Sequence, residues 1–237
     1  MKQDFDFHIV WFLLLCTFCA FCIFMPRPAQ PVFAASKYDP VLVIDAGHGG
    51  EDGGAVSASG VREADLNLSV AKRADDLAML LGIKTRMIRD SDVSVYSDGC
   101  SSIAEKKSSD LRNRVRIANS CDEAILLSIH QNHFSESKYS GAQVFYAQTD
   151  GSKELAETIQ SSLRETLDPR NHRQAKRSSG VYLMEHVSCP AVLVECGFLS
   201  NVREAELLQD ETYQKKLALA MICPIADVGK AVTAHEI

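Results

Sequence analysis

Residues 41–50 read VLVIDAGHGG, an apolar run that stops at a glycine turn carrying a histidine. Six residues, VLVIDA, have the hydrophobicity of a strand buried on both faces of a parallel sheet. Asp39-Pro40 gives that strand an extended lead-in. The glycines around His48 open the φ/ψ choices of the turn and set the imidazole at the strand's C-terminal mouth, where open α/β sheets bind ligands.

Working outward, residues 47–60 form a loop with six glycines, and 63–81 carry Leu66, Val70, Ala74, Leu77 and Leu80 at helical spacing before Gly82. Glu63 therefore lies in a helix's first turn. A second strand is expected over 83–88 and a polar loop or lid over 90–109. A short helix over 110–120 leads to another buried-strand pattern, AILLSIH at 124–130, which also ends in a histidine. A strand at 142–147 and a helix at 152–167 precede a basic loop at 168–179. Strands at 181–184 and 191–196 and helices at 204–208 and 213–228 complete the chain. The order β-α-β-α-β-β-α-β-β-α predicts a single α/β domain, a twisted, mostly parallel mixed sheet with helices on both faces.

The composition sets bounds on function. A chain of 237 residues with 46% hydrophobic content is large enough for one full core. A formal charge of -6 without a Lys/Arg stripe argues against nucleic acid as a partner. Residues 9–25 are 17 residues without a charge, followed by Pro26, Pro28 and the small residues Ala34 and Ala35. Residues 1–36 are therefore expected to be a signal peptide or an uncleaved membrane anchor, which puts the domain at 37–237 outside the cytoplasm. That segment is the one expected membrane contact. Of the eight cysteines, Cys100, Cys121, Cys189, Cys196 and Cys223 lie in the domain, an odd number without a CxxC pair, so most are expected to be buried apolar filler.

Three buried-strand patterns end in a polar residue: His48, His130 and Glu195. Parallel strands bring these ends to one edge of the sheet, and Glu63 joins them there. Two histidines and a carboxylate suit Zn²⁺ with a fourth position left for water, and a further carboxylate off the metal suits a general base. Each residue alone has a plain structural reading: His48 fills a turn, His130 is a satisfied core histidine, and Glu63 favours a helix dipole. Glu195 resists one, because a carboxyl inside AVLVECGF is desolvated without an evident partner.

These residues carry a resemblance. VLVIDAGHGGEDGGA at 41–55, VREADLNL at 61–68, AILLSIHQNHF at 124–134 and PAVLVECGFLSN at 190–201 resemble the zinc-dependent N-acetylmuramoyl-L-alanine amidases of the Amidase_3 type. The resemblance implies that His48, Glu63 and His130 are zinc ligands and Glu195 the catalytic carboxylate. It implies hydrolysis of the amide between N-acetylmuramic acid and L-alanine, with the peptidoglycan glycan strand and stem peptide as binding partners. Gln131, where such proteins commonly have alanine, and the additional His133 depart from the pattern.

The chain length, the export signal, the lack of an added wall-binding module and SSIAEKKSSDLRNRVRIAN at 101–119 are further similar to the sporulation amidases. That narrower likeness implies action in the forespore or cortex space on the way to muramic-δ-lactam, and a role in germination. A bare domain leaves room for an activating or targeting protein partner. A catalytically silent wall-binding protein and a zinc peptidase cutting within the stem peptide are the alternatives. Asp45 and Asp52 are candidates to orient the ligating imidazoles, with capping of the glycine turn as the alternative role of Asp52. Asn132 and Asn201 either orient substrate or loop backbone or simply make turn hydrogen bonds, and the basic stretch 170–177 either meets the anionic peptide or is a solvated loop. The glycines around His48 are expected to clear the way for a large glycopeptide.

Overall fold

The buried run at the start of the domain forms β1 (Val41–Ala46), an inner strand one in from the edge of a six-stranded sheet. The computed structural model describes residues 40–234, with side chains to residue 227; the expected signal or anchor at 1–36 lies outside the described residues. The other elements are α1 (Glu63–Leu80), β2 (Thr85–Met87), α2 (Ile103–Asn119), β3 (Ala124–Asn132), β4 (Gln143–Tyr146), α3 (Ser152–Leu167), β5 (Lys176–Arg177), α4 (Tyr182–His186), β6 (Ala191–Phe198), α5 (Val202–Leu207) and α6 (Glu211–Ala234). The sheet order is β2-β1-β3-β6-β4-β5, parallel throughout except for the antiparallel β4/β6 pair. The expected mixed α/β sheet is therefore observed. No helix among the described residues is long and apolar enough to cross a membrane.

Alternation along the strands divides the core. Leu42, Ile44, Leu127, Ile129, Val192 and Val194 face α1, α3 and α6, packing with Val70, Ala74, Ile159, Leu163, Leu217 and Met221. Val43, Leu126, Ala191 and Leu193 face the opposite way, toward Ala118 of α2 and Leu183 and Met184 of α4. Both faces are thus covered, which accounts for the near-continuous apolar strands.

Several boundaries differ from the sequence expectation. The segment 181–184, expected as a strand, is helix α4, because VYLM is too short for periodicity to choose and Glu185 turns back to accept from the Gly180 N–H at 2.7 Å. The polar stretch expected as a loop up to residue 109 turns helical at Ile103. Ser102 and Glu105 form a reciprocal capping box, a signal readable as S-x-x-E. Val95, Ser97 and Asn113 tie the remainder of the stretch to α2 by hydrogen bonds of 2.7–3.0 Å, so it is anchored. The basic loop contains edge strand β5, whose lysine and arginine blunt the open edge. Of the domain cysteines, Cys189 and Cys196 are buried, Cys100 and Cys121 half-buried and Cys223 exposed, so the filler reading holds for two of five.

Candidate metal and hydrolytic site

β1, β3 and β6 end side by side. His130 is the register partner of Glu195 in the parallel β3/β6 ladder, and the register shifts immediately beyond them, before Asn132 pairs with Phe198. That irregularity ends regular pairing at the site, a frequent position for a bulge. The Gly47 N–H donates to the Ile129 carbonyl at 3.0 Å, so the chain leaves the sheet beside His130. His48 follows with φ of 60°, a left-handed conformation that costs a non-glycine residue of order 1–3 kcal/mol.

Glu63 reaches the same place from the start of α1. The helix has no side-chain cap; instead the Glu63 and Ala64 N–H groups donate to the Ala55 and Gly53 carbonyls at 2.8 and 3.1 Å. The glycine loop thereby fixes the first turn under His48. Glu63 Oε1 lies 2.9 Å from His130 Nδ1 and 3.3 Å from His48 Nε2, while its Oε2 accepts from the Ala55 N–H at 2.9 Å. One ligand atom each from His48, Glu63 and His130 lies within 4.8 Å of the others, a group that could hold a metal ion. His48 Nδ1 is 3.0 Å from Asp52 Oδ2, which leaves Nε2 for the group's centre. Of the two candidates for orienting an imidazole, Asp52 does so; Asp45 instead binds Arg114 and Ser128.

Three observations fit a divalent cation here. The donor set is two imidazoles and a carboxylate, as Zn²⁺ prefers. A Cβ on Gly47 would lie 2.2 Å from the His130 ring, and one on Gly54 2.6 Å from Glu63 Oε2 and 2.8 Å from His48 Cδ2. These two glycines therefore clear space for the donor side chains themselves, and the expectation that they serve an approaching glycopeptide is corrected for them. Third, the buried Oε2 of Glu195 has no hydrogen-bond partner among the described residues.

The electrostatics separate the two carboxylates. Burial alone would raise the Glu63 pKa, but hydrogen bonds to His130 and His48 hold it well below the usual carboxylate range. Burial would likewise depress His48, yet Glu63 and Asp52 outweigh it and raise the imidazole to about 9. Burial pushes Glu195 up; His130 opposes, Glu63 adds to the shift, and the result is about 7. One carboxylate is thus held ionised among donors while the other is balanced between protonation states, the division of roles that acid–base chemistry needs. A cleft of about 380 Å³ opens from His48, His130 and Glu195, walled by α2 and by Leu183 and Leu193.

Sequence reasoning missed the supports. Arg114 donates to Asp45, Asp110 and the Ala46 and His48 carbonyls at 2.5–3.0 Å. Arg89 donates to the Ala46, Gly47 and Ala64 carbonyls at 2.7–2.9 Å. Asn67, one turn after Glu63, donates to the Gly47 carbonyl at 3.0 Å, and its place on the buried face of an apolar helix was a usable signal. Gln131 donates its backbone N–H to Glu63 Oε1 at 3.1 Å and its side chain to Asn67. His133 is exposed, Asn201 caps α5 and holds the Ser137 and Tyr139 carbonyls, and Asn132 closes a backbone bond to Leu199. Arg173 is bound to Ser140 and Gln143, so part of the basic stretch is structural.

Residues 42–227 match the family model described as N-acetylmuramoyl-L-alanine amidase. The germination-specific N-acetylmuramoyl-L-alanine amidase of Bacillus subtilis is 40% identical over 179 residues, 75% of this chain and 75% of that protein. Among solved structures, the CwlD amidase of Clostridioides difficile in complex with the GerS lipoprotein matches with a TM-score of 0.77 at 38% identity. The match covers 81% of this chain and 99% of that one. A further N-acetylmuramoyl-L-alanine amidase, from Clostridium difficile 630, matches at 30% identity with a TM-score of 0.68, covering 82% and 99%.

Proposed function

The chain belongs to the N-acetylmuramoyl-L-alanine amidase family, and on that premise we propose that it uses one zinc ion, held by His48, Glu63 and His130, to hydrolyse the amide joining N-acetylmuramic acid to L-alanine. The observation that carries this reading is the juxtaposition of a His-Glu-His donor set with the half-buried Glu195, whose buried Oε2 has no hydrogen-bond partner among the described residues. Zinc at these atoms would supply Lewis acidity to the scissile carbonyl and the attacking water.

The protein supplies the rest. Glu195 Oε2 accepts the proton of the attacking water and delivers it to the alanine nitrogen as the C–N bond breaks. Its elevated pKa suits both halves of that transfer. Asp52 holds the His48 ring through Nδ1, Asn67 and Gln131 hold Glu63 from behind, and Leu183 and Leu193 keep one wall of the cleft dry.

The 40% identity to a germination-specific amidase and the match to CwlD support a finer reading: trimming of spore-cortex peptidoglycan, outside the cytoplasm, toward muramic-δ-lactam. A protein partner of the lipoprotein kind seen with CwlD supports the activity under this reading. Mass analysis of digested muropeptides tests the bond: release of intact stem peptides with a free L-alanine amine is expected. Products cut within the peptide would replace the amidase reading with a peptidase, and binding without cleavage would leave a wall-binding protein.

A further inference from the structure

The two shoulders of the site differ in chemistry. On one side the cleft runs along the N-terminal half of α2, whose first turns present Ile103, Lys106 and Lys107, and its opposite wall is Val181 and Leu183. Ile103 is 81% exposed, an aliphatic side chain left in water at the cleft's edge. Lys106 is paired with Glu51 at 2.7 Å and lies over the Tyr96 ring. Apart from Glu195, the other acids of the cleft are engaged as well: Asp52 by His48, and Asp45 and Asp110 by Arg114. Lys107 forms no ion pair among the described residues; its charge acts at longer range on Asp52, whose pKa it helps to lower, and its ammonium is open to a further anionic partner at this wall.

Outside the lining of this cleft, in the chain that follows β3 and its His130, Phe134 and Tyr139 form an edge-on pair, ring centroids 5.2 Å apart. Both contact Phe198, which is buried beneath them and covered by the Arg173 guanidinium at 4.7 Å. Phe134 and Tyr139 remain 46% and 36% exposed. Their rings are braced from below, a surface suited to the C–H faces of pyranose rings, whereas methyls and an ammonium suit a short peptide with a free carboxylate.

We propose that these shoulders set the direction in which substrate lies: the acidic peptide along α2 with a carboxylate at Lys107, and the sugar strand across Phe134 and Tyr139. This orientation rests on the amidase reading above. It puts the scissile amide, the junction of sugar and peptide, between the two surfaces and over Glu195. Lys107 and the aromatic pair are thereby specificity-determining residues that take no part in bond breaking.

The test compares steady-state kinetics of the zinc-loaded full chain on matched muramyl peptides with that carboxylate free or amidated, and on glycan oligomers of increasing length. Lys107→Glu, which replaces attraction by repulsion at an exposed charge, is expected to raise KM about three- to tenfold on the free-carboxylate substrate. The amidated substrate should be unaffected, and kcat should hold on both. Phe134→Ala with Tyr139→Ala should raise KM several-fold on long glycans and leave the single muramyl peptide unchanged. Equal KM values for Lys107→Glu on the two peptides, or a glycan-length effect from Lys107→Glu and a carboxylate effect from the aromatic variants, would overturn the orientation. Failure of the wild-type chain to cut either substrate would instead overturn the amidase reading.

Discussion

Arg114→Met is the most informative perturbation of the scaffold. Arg114 and Asp45 have side chains 4% and 1% exposed, and their bond of 2.5 Å sits beneath the turn that carries His48. Burial alone would raise the Asp45 pKa, yet Arg114 holds it below the usual value of 3.8. Removing one partner of a buried pair costs about 3–5 kcal/mol, because the other charge stays desolvated. For a domain of this size 1 kcal/mol is worth roughly 2–4 °C, so Tm should fall by about 6–20 °C. The pH dependence gives the sign. In the wild type the Asp45 contribution is fully present above its unfolded pKa and is lost as pH falls through the lowered folded value. In the variant burial dominates and the folded pKa lies above the unfolded one, so the penalty is largest near neutrality and shrinks as pH falls. Urea unfolding at several pH values between about 7.5 and 4.5 reads both effects. A deficit under about 1 kcal/mol, equal at every pH, would refute the assignment of Arg114 and Asp45 as a coupled buried pair.

Three further outcomes follow from the site's geometry. Asp52→Asn removes the carboxylate at His48 Nδ1, and zinc affinity measured by competition with a chromogenic chelator should drop about 10- to 100-fold; an unchanged affinity would leave Asp52 a turn residue only. Gly47→Ala puts a methyl 2.2 Å from the His130 ring, so zinc binding should be lost while far-UV circular dichroism is retained. Normal zinc binding in that variant would show that the ring has room to move. Chelation of the wild type should abolish hydrolysis, and added zinc should restore it, a reversal followed by muropeptide release.

The sheet was legible because each of its central strands, VLVIDA, AILLSI and AVLVEC, is buried on both faces and reads as an apolar run. His48, His130 and Glu195 stood out as candidates because they break or end such patterns, where a core strand has no use for them, whereas Glu63, in a helix's first turn, was marked as a ligand by the family resemblance alone. Their supports were not, since Arg89 and Arg114 lie in stretches that read as surface, and only the tertiary fold turns their guanidinium groups toward the Ala46–His48 carbonyls. The left-handed φ of His48 and the offset between β3 and β6 are likewise products of packing that one-dimensional periodicity does not register. Segment 181–184 shows the limit from the other side: four apolar residues are compatible with strand or helix, and the cover they give to the face with Leu193 and Leu126 decided for helix α4.

Metal binding by His48, Glu63 and His130 and proton transfer by Glu195 are separable functions of one site. Zinc content and muropeptide mass analysis on wild type and Glu195→Gln address them together. One zinc per chain is expected in both proteins, with release of L-alanine-ended peptides by the wild type and a loss of about 10²- to 10⁴-fold in rate for the variant. Hydrolysis at the wild-type rate by Glu195→Gln with zinc bound would contradict proton transfer by Glu195.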